Sequence, residues 1–147
     1  MAEKGTVLAV NISAKRGEKK RNVGRALIKT NYGIELDAHG GQWHRQVSLL
    51  SQTSVDKMRA MGAEVDFGDF AENITLEGIE VSRLPIGTRL KAGEVLMEVT
   101  QIGKECHNQG CAIKKQVGTC VMPLEGIFAR VLEGGWIAAG DSIEVLD

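Results

Sequence analysis

The sequence contains little proline, few aromatic residues and no excess of charge of one sign, and each scarcity narrows the class of protein. Only two of the 147 residues are proline and six are aromatic (three Phe, two Trp, one Tyr), so aliphatic side chains must fill the core. The formal net charge of −1 gives no global basic field, so charge balance does not imply a nucleic-acid partner. No apolar run approaches the roughly 20 residues that a membrane helix requires, so no membrane association is expected.

The N-terminus and the cysteine count indicate the compartment and the thiol chemistry. Residues 1–5 lack the apolar core of a signal peptide, so we expect a cytoplasmic protein. Three cysteines are an odd number, which disfavours a disulfide framework and favours thiol or metal roles. The two glycine-rich nucleotide motifs, GxGxxG and GxxxxGK[ST], and the nucleophile elbow GxSxG are all absent.

Short aliphatic and β-branched runs, separated by many of the 18 glycines, predict a mainly β (α+β) fold in a single domain, residues 1–147. A short helix is predicted after Ser51, with Val55, Met58 and Met61 near one face, ending at Gly62, and a second helix over 112–117. Strands are predicted at residues 5–13, 47–50, 88–91, 94–102, 127–132 and 143–145. The pattern indicates a closed or nearly closed β-barrel with short helical insertions.

Residues 15–25 form the only strongly one-signed segment of the chain. They contain Lys15, Arg16, Lys19, Lys20, Arg21 and Arg25 against the single acid Glu18. We expect a mobile basic loop, which either attracts an anion or is simply solvated.

The motif Asp37-Ala38-His39-Gly40-Gly41 places a carboxylate and an imidazole two residues apart in a glycine-flanked loop. In an extended backbone both side chains point the same way, so Asp37 would orient the His39 ring. Glycines would let the backbone approach a ligand closely. The alternative is a polar turn whose Asp and His satisfy backbone groups.

Asn73 lies, with Glu72, just before a predicted strand at residues 74–76. Asparagine at a strand entrance usually fixes a turn through its amide, and it could equally bind a polar ligand group.

Cys106 follows the predicted strand 94–102 and begins a polar, glycine-containing stretch, where a thiol is placed to react. Lys104 and His107 would favour the thiolate, which attacks sulfur and binds soft metals, whereas Glu105 would oppose them. A small buried cysteine is the alternative.

The spacing of the three cysteines leaves two further alternatives open. Cys106, Cys111 and Cys120 could bind a metal with His39 or His44, although the spacing is not the paired CxxC of structural zinc. Cys106 and Cys111 could instead form a redox pair, with Cys111 as the resolving thiol.

These residues, in this order, resemble the MOSC domain, the module named after the C-terminal part of molybdenum cofactor sulfurase. The resemblance covers nearly the whole chain and is that of a small stand-alone bacterial member. Leu36 stands where many relatives have glycine, and residues 102–105 stand where many have Pro-Arg-x-Pro. The matching segments are the strand from Gly5 to Asn11, the Asp37–Gly41 motif, Arg45-Gln46-Val47-Ser48-Leu49-Leu50, Glu72-Asn73-Ile74-Thr75, Cys106 after Val99-Thr100-Gln101, residues 126–132 and residues 140–143.

The resemblance implies a barrel similar to the β-barrel domain of pyruvate kinase, and a role in molybdenum cofactor metabolism. It implies that Cys106 carries a persulfide or ligates molybdenum, with Cys111 and His107 tuning or resolving it. The molybdenum cofactor (molybdopterin) would contact a second set of residues, and the basic segment would attract its phosphate. That cofactor-binding set is Asp37, His39, Arg45, Asn73, Lys19, Lys20 and Arg21.

The resemblance also implies partners and alternative activities. Pyridoxal phosphate would belong to a separate cysteine desulfurase, which, or another cofactor-biosynthesis protein, would be the partner. One alternative is a molybdenum-dependent reductase of N-hydroxylated compounds that needs an electron-donor partner. Another is a non-catalytic module that binds the pterin or docks a partner.

Overall fold

The computed structural model describes residues 3–15, 18–103 and 125–146, and within these ranges the chain is mainly β. It contains eleven strands, one α-helix and a one-turn 3-10 helix at Val81–Arg83 in this described part. The elements are β1 (Lys4–Ile12), β2 (Arg21–Asn22), β3 (Arg25–Lys29), β4 (Gly33–Ile34), β5 (Val47–Ser51), α1 (Gln52–Ala60), β6 (Ile74–Glu77), β7 (Arg89–Ala92), β8 (Val95–Ile102), β9 (Ile127–Glu133), β10 (Gly135–Ala138) and β11 (Ser142–Leu146).

Seven strands close into a barrel, which confirms the predicted architecture. Around the barrel the order is β1-β11-β7-β8-β9-β5-β6, and β6 returns to β1. The pairs are antiparallel except for β5 and β6, which are parallel and joined through α1. Closure rests on β1 and β11, where Lys4 pairs with Glu144 and Thr6 with Ser142. β2 adds to β1 outside the ring.

Aliphatic side chains fill the barrel, as the scarcity of aromatic residues predicts. The buried cluster inside it contains Val, Ile, Leu, Ala and Met residues, including Val7, Leu49, Met97 and Ile127. A second cluster, beneath α1, contains both buried phenylalanines of the described chain, Phe70 and Phe128, beside Leu50, Val55 and Met58. This second cluster anchors α1 to the outside of the barrel.

A small second sheet, in the order β10-β3-β4, contains Arg25, the last residue of the predicted basic loop. Residues 25–29 read Arg-Ala-Leu-Ile-Lys, and the buried Ala26 and Ile28 alternate with the exposed Arg25 and Lys29. The expectation of a mobile loop as far as residue 25 is therefore wrong, because β2 and the start of β3 are paired strands.

The helix follows Ser51 as predicted, but the serine does not cap it. The Ser51 hydroxyl donates to the carbonyl of Ile79 (2.6 Å) and accepts from the N–H of Val81 (3.0 Å). The helix ends before Gly62, whose φ of +99° is the left-handed conformation that favours glycine. The predicted helix 112–117 lies outside the described residues. Within the described part, none of the helices has the length and apolarity needed to cross a membrane.

Candidate functional site

The carboxylate of Asp37 is the centre of a buried polar cluster at the end of β1. Its Oδ1 accepts hydrogen bonds from the backbone N–H of Ser13 (3.0 Å) and from Lys20 Nζ (2.8 Å). Its Oδ2 accepts one from the backbone N–H of His39 (3.1 Å). Asp37 therefore satisfies backbone groups, as the polar-turn interpretation predicts, and also lies beside the imidazole of His39.

Lys20 is the buried partner of Asp37 and not a solvated cation. The side chains of both residues have no solvent exposure, and Lys20 Nζ also donates to the Ser13 hydroxyl (2.9 Å). The backbone N–H of Lys20 donates to the carbonyl of Gly68 (2.8 Å). The interpretation of the basic segment as wholly solvated is wrong at this residue, since Lys20 is buried against Asp37. A direct cofactor contact by Lys20 stays a prediction.

The pKa of Asp37 is set by opposing effects. Burial alone would raise it, because water no longer stabilises the anion. The neighbouring His39 ring, the hydrogen bond and charge of Lys20 and the N–H of Ser13 together outweigh burial and hold the pKa of Asp37 well below its ordinary value. Asp37 is therefore an anion at neutral pH, paired with a cation.

His39 lies at the edge of this cluster with its ring between Asp37 and Trp43. Its Nδ1 is 3.7 Å from Asp37 Oδ2 and is buried without a hydrogen-bond partner. The ring stacks on the indole of Trp43, with centroids 6.4 Å apart and planes 5° apart, and Trp43 Nε1 donates to the His39 carbonyl (2.8 Å). The imidazole thus packs on Trp43 with its Nδ1 edge facing the Asp37 carboxylate.

The backbone of this loop is turned and not extended. Leu36 has a φ of +70°, in the left-handed region that favours glycine, and its side chain is largely exposed. Leu36 stands at the position where, according to the resemblance, many relatives have glycine. Gly40 packs against Tyr32, and a Cβ at Gly40 would lie 2.5 Å from Cε1 of that ring. The backbone of Gly40 therefore closely approaches the ring of Tyr32.

His44 and Arg45 are joined by the side chain of Gln101, a link that the sequence does not show. Its Oε1 accepts a hydrogen bond from Arg45 Nε (3.0 Å) and lies 2.9 Å from His44 Nε2. Its Nε2 donates to the carbonyl of Gly103 (2.7 Å). In the sequence, Gln101 is marked only by its place near the end of a predicted strand, residues 94–102. Gln101 links the Asp37–Arg45 region to the last described residues before Cys106.

Asn73 is fully buried, and its amide joins three strands. Its Oδ1 accepts from the N–H (2.9 Å) and hydroxyl (3.1 Å) of Ser48, and its Nδ2 donates to the carbonyl of Asn11 (3.1 Å). Neighbouring Glu72 accepts from Thr75 Oγ1 (2.8 Å). The amide therefore links β1 and β5 to the start of β6, and the expectation that it fixes a local turn is wrong, because its partners are 25 and 62 residues away. Its contact with a cofactor stays a prediction.

Burial raises the pKa of Glu72 above its ordinary value, although hydrogen bonds from the Gly68 backbone and the Thr75 hydroxyl partly oppose the rise. The Asn11 side chain donates to Thr75 Oγ1 (3.2 Å), while its own Oδ1 is buried without a partner. β1 thus ends with two buried polar clusters, one at Asn11 and one at Ser13.

An open cleft of about 490 Å³ adjoins the Asp37 cluster and contains two of the predicted basic residues. Lys19 and Arg21 line it, with Glu18 as an opposing charge. Lys19 Nζ lies 3.7 Å from Asp69 Oδ2 and is half-exposed. The lining residues are Ile12, Ser13, Ala14, Glu18, Lys19, Arg21 and Leu36. The cleft offers a mixed apolar and cationic surface.

The structure brings Asp37, His39 and Lys20 together, and it places Lys19 and Arg21 in the adjoining cleft. Arg45 belongs to the Gln101 group and Asn73 to the Asn11 group. The predicted reactive and metal-binding residues Cys106, Cys111 and His107, like Cys120, lie outside the described residues. Among the residues described, no group of three or more His, Cys, Asp or Glu side chains could hold a metal ion.

Comparison with known proteins adds a family and a fold. The family model described as MOSC domain matches residues 36–144. No curated protein matches the chain.

Solved structures share the fold at low sequence identity. The YUAD protein from Bacillus subtilis superposes with a TM-score of 0.83 at 16% identity, covering 99% of this chain and 97% of its own. YiiM from Geobacillus stearothermophilus gives a TM-score of 0.72 at 20% identity, covering 97% and 75%. YiiM from Escherichia coli gives 0.66 at 18% identity, covering 98% and 70%.

Proposed function

Because the chain belongs to the MOSC domain family, we propose that it takes up sulfur on Cys106, binds the molybdenum cofactor, or does both. Membership of the family supports a general role connected with the molybdenum cofactor. The observation that carries the finer proposal is the extent of the family match, residues 36–144, which includes the Asp37–His39 loop, strand β8 and Cys106.

The described residues fit an anionic cofactor. Lys19 and Arg21 line an open cleft and would hold its phosphate, since cations facing one cleft concentrate an anion. His39, whose ring stacks on Trp43 at the edge of the Asp37 cluster, would contact the pterin. When bound, the cofactor would supply molybdenum, a metal that a soft thiolate such as that of Cys106 can ligate.

The Asp37–Lys20 pair would also support this site from beneath the His39 loop. A neutralised carboxylate under the His39 loop fixes the loop without placing uncompensated negative charge beside an anionic cofactor. The same pair holds the end of β1 and Lys20 in place, so Lys19 and Arg21, on either side of Lys20, start from an anchored backbone.

The sulfur-uptake step needs only a thiolate and a persulfide donor. The Cys106 thiolate would attack the terminal sulfur of a cysteine desulfurase persulfide, R–S–SH. A new S–S bond forms on Cys106 as the S–S bond of the donor breaks. The proton stays on the transferred sulfur and the donor leaves as R–S⁻, so no outside oxidant or reductant is required.

The test is the intact mass of the protein after incubation with a cysteine desulfurase and cysteine. We expect a gain of one sulfur atom, ~32 Da, that is reversed by a reductant, because a persulfide is a reversible modification. Cys106→Ser should abolish the gain, whereas the matched control Cys120→Ser should retain it. A gain that persists in Cys106→Ser, or no gain in the wild type, would contradict the carrier role.

A further inference from the structure

Arg45 presents a guanidinium that is held at its Nε edge. Its Nε donates to Gln101 Oε1 (3.0 Å), and its Cζ lies 5.1 Å from the centre of the Phe128 ring. Among the described residues no carboxylate pairs with it and no acceptor contacts Nη1 or Nη2, although the residue is only partly exposed. A guanidinium held at Nε and against an aromatic face offers two parallel N–H donors, which match two oxygens of a carboxylate or phosphate.

We propose that Arg45 is the binding residue of an oxyanion site, with Gln101 as its positioning residue and His44 beside it. The ligand would be a carboxylate or phosphate group. Gln101 orients both Arg45 and His44 through the same oxygen atom, Oε1. Because Gln101 is already held by the Gly103 carbonyl, the arginine needs little reorganisation when an anion binds.

This site is separate from the cleft of Lys19 and Arg21, whose lining does not include Arg45. It lies instead at the end of β8, where the N–H of Gly103 donates to the carbonyl of Gly126 (2.6 Å). Cys106 follows Gly103 by three residues in the sequence. The assignment of the oxyanion to a molecule handled by Cys106 rests on the proposed function, whereas the anion site itself does not.

The test is titration with inorganic phosphate, and with acetate, at constant ionic strength. Calorimetry gives the affinity, and the ¹H–¹⁵N signal of Arg45 Nε–H reports the binding position. We expect saturable binding in the wild type and in Cys106→Ser, and a loss of at least about tenfold in Arg45→Met, since charge-assisted hydrogen bonds are lost. Gln101→Met should weaken binding several-fold although the arginine is present.

The matched control is Arg25→Gln. Arg25 is an exposed arginine stacked on an aromatic ring, with its Cζ 4.1 Å from the centre of Trp136, and no side chain among the described residues bonds its Nε. Its replacement should leave phosphate affinity unchanged. Wild-type affinity in Arg45→Met, or an equal loss in Arg25→Gln, would overturn the proposal, provided that circular dichroism shows each variant folded.

A second arm identifies the source of the oxyanion, by measuring molybdopterin affinity in Arg45→Met and in the double variant Lys19→Gln/Arg21→Gln. Loss in Arg45→Met assigns the site to the phosphate of the cofactor. Loss confined to the double variant assigns it to a second reactant. Phosphate titration needs neither Cys106 nor the cofactor, so failure of sulfur loading and failure of the anion site are distinguishable.

Discussion

Replacement of Lys20 by Met removes the cation that neutralises Asp37 while keeping a side chain of similar length. Both charged side chains are fully buried, and their Nζ and Oδ1 atoms are 2.8 Å apart. The variant leaves a buried carboxylate that keeps the N–H groups of Ser13 and His39 but loses the charge of Lys20. Breaking a buried pair from one side costs about 3–5 kcal/mol, a large part of a typical stability of about 5–15 kcal/mol.

The loss should depend on pH in a defined direction. In the wild type the pKa of Asp37 is held below its ordinary value, so its contribution is present above about pH 4 and is lost as the pH falls further. In Lys20→Met the hydrogen bond and the charge of Lys20 are lost, while burial and the His39 and Ser13 contacts remain, so the pKa of Asp37 lies higher than in the wild type. The penalty is then present at neutral pH and is relieved by protonation as the pH falls. The destabilisation should therefore shrink between pH 7 and about pH 4.

The assay is urea unfolding followed by tryptophan fluorescence, with the wild type, Lys20→Met, Asp37→Asn and the double variant at both pH values. The double variant should be more stable than Lys20→Met at pH 7 by at least about 1 kcal/mol, because it removes the uncompensated charge. If Lys20→Met is unfolded at pH 7, the argument is still tested by whether the double variant is folded there and whether Lys20→Met refolds at lower pH. A loss below about 1 kcal/mol, or one that is equal at both pH values, would refute it.

Two further substitutions test other strained or costly positions. In Glu72→Gln the free energy of unfolding should rise relative to the wild type between pH 4 and pH 8. Burial raises the pKa of Glu72, so ionising it in the fold costs the wild type stability as the pH rises. Urea unfolding that gives the same pH dependence of the free energy in both proteins would contradict this. Leu36→Gly should stabilise the fold by roughly 0.5–1 kcal/mol, since it relieves a left-handed φ that costs about 1–2 kcal/mol against the entropy of glycine. Leu36→Ala is the control, and an equal gain there would locate the effect in the side chain.

The barrel could be predicted because its strands carry local signals. Residues 94–102 and 127–132 are aliphatic runs bounded by glycine or charge, and both are strands of the barrel. β3 was obscured by its composition, since Arg25 and Lys29 extend a basic segment. Its two-residue alternation of Arg-Ala-Leu-Ile-Lys was nevertheless a valid strand signal, with the apolar positions Ala26 and Ile28 on the buried face.

The candidate site was predictable as a motif but not as a set of contacts. The spacing of Asp37 and His39 is visible in the sequence, and the two lie together in the structure. The burial of Lys20 is not visible, because a charge run predicts solvation and only the fold brings Asp37 to it. Gln101 lies in a segment that carries the resemblance, but its role is not visible there, since its partners His44 and Arg45 are more than fifty residues away.

The pairing of β1 with β11 has a consequence for how the protein is made. A ribosome releases β1 early, but β1 can complete its hydrogen bonding only when β11 emerges and Lys4 meets Glu144. Until then one edge of the nascent sheet is open to unwanted strand pairing. Contacts between such distant parts of a chain also slow folding, because the entropy of a long loop is lost before the stabilising contacts form. Barrel closure is therefore a late event, and the edge of β1 that pairs with β11 stays open until then.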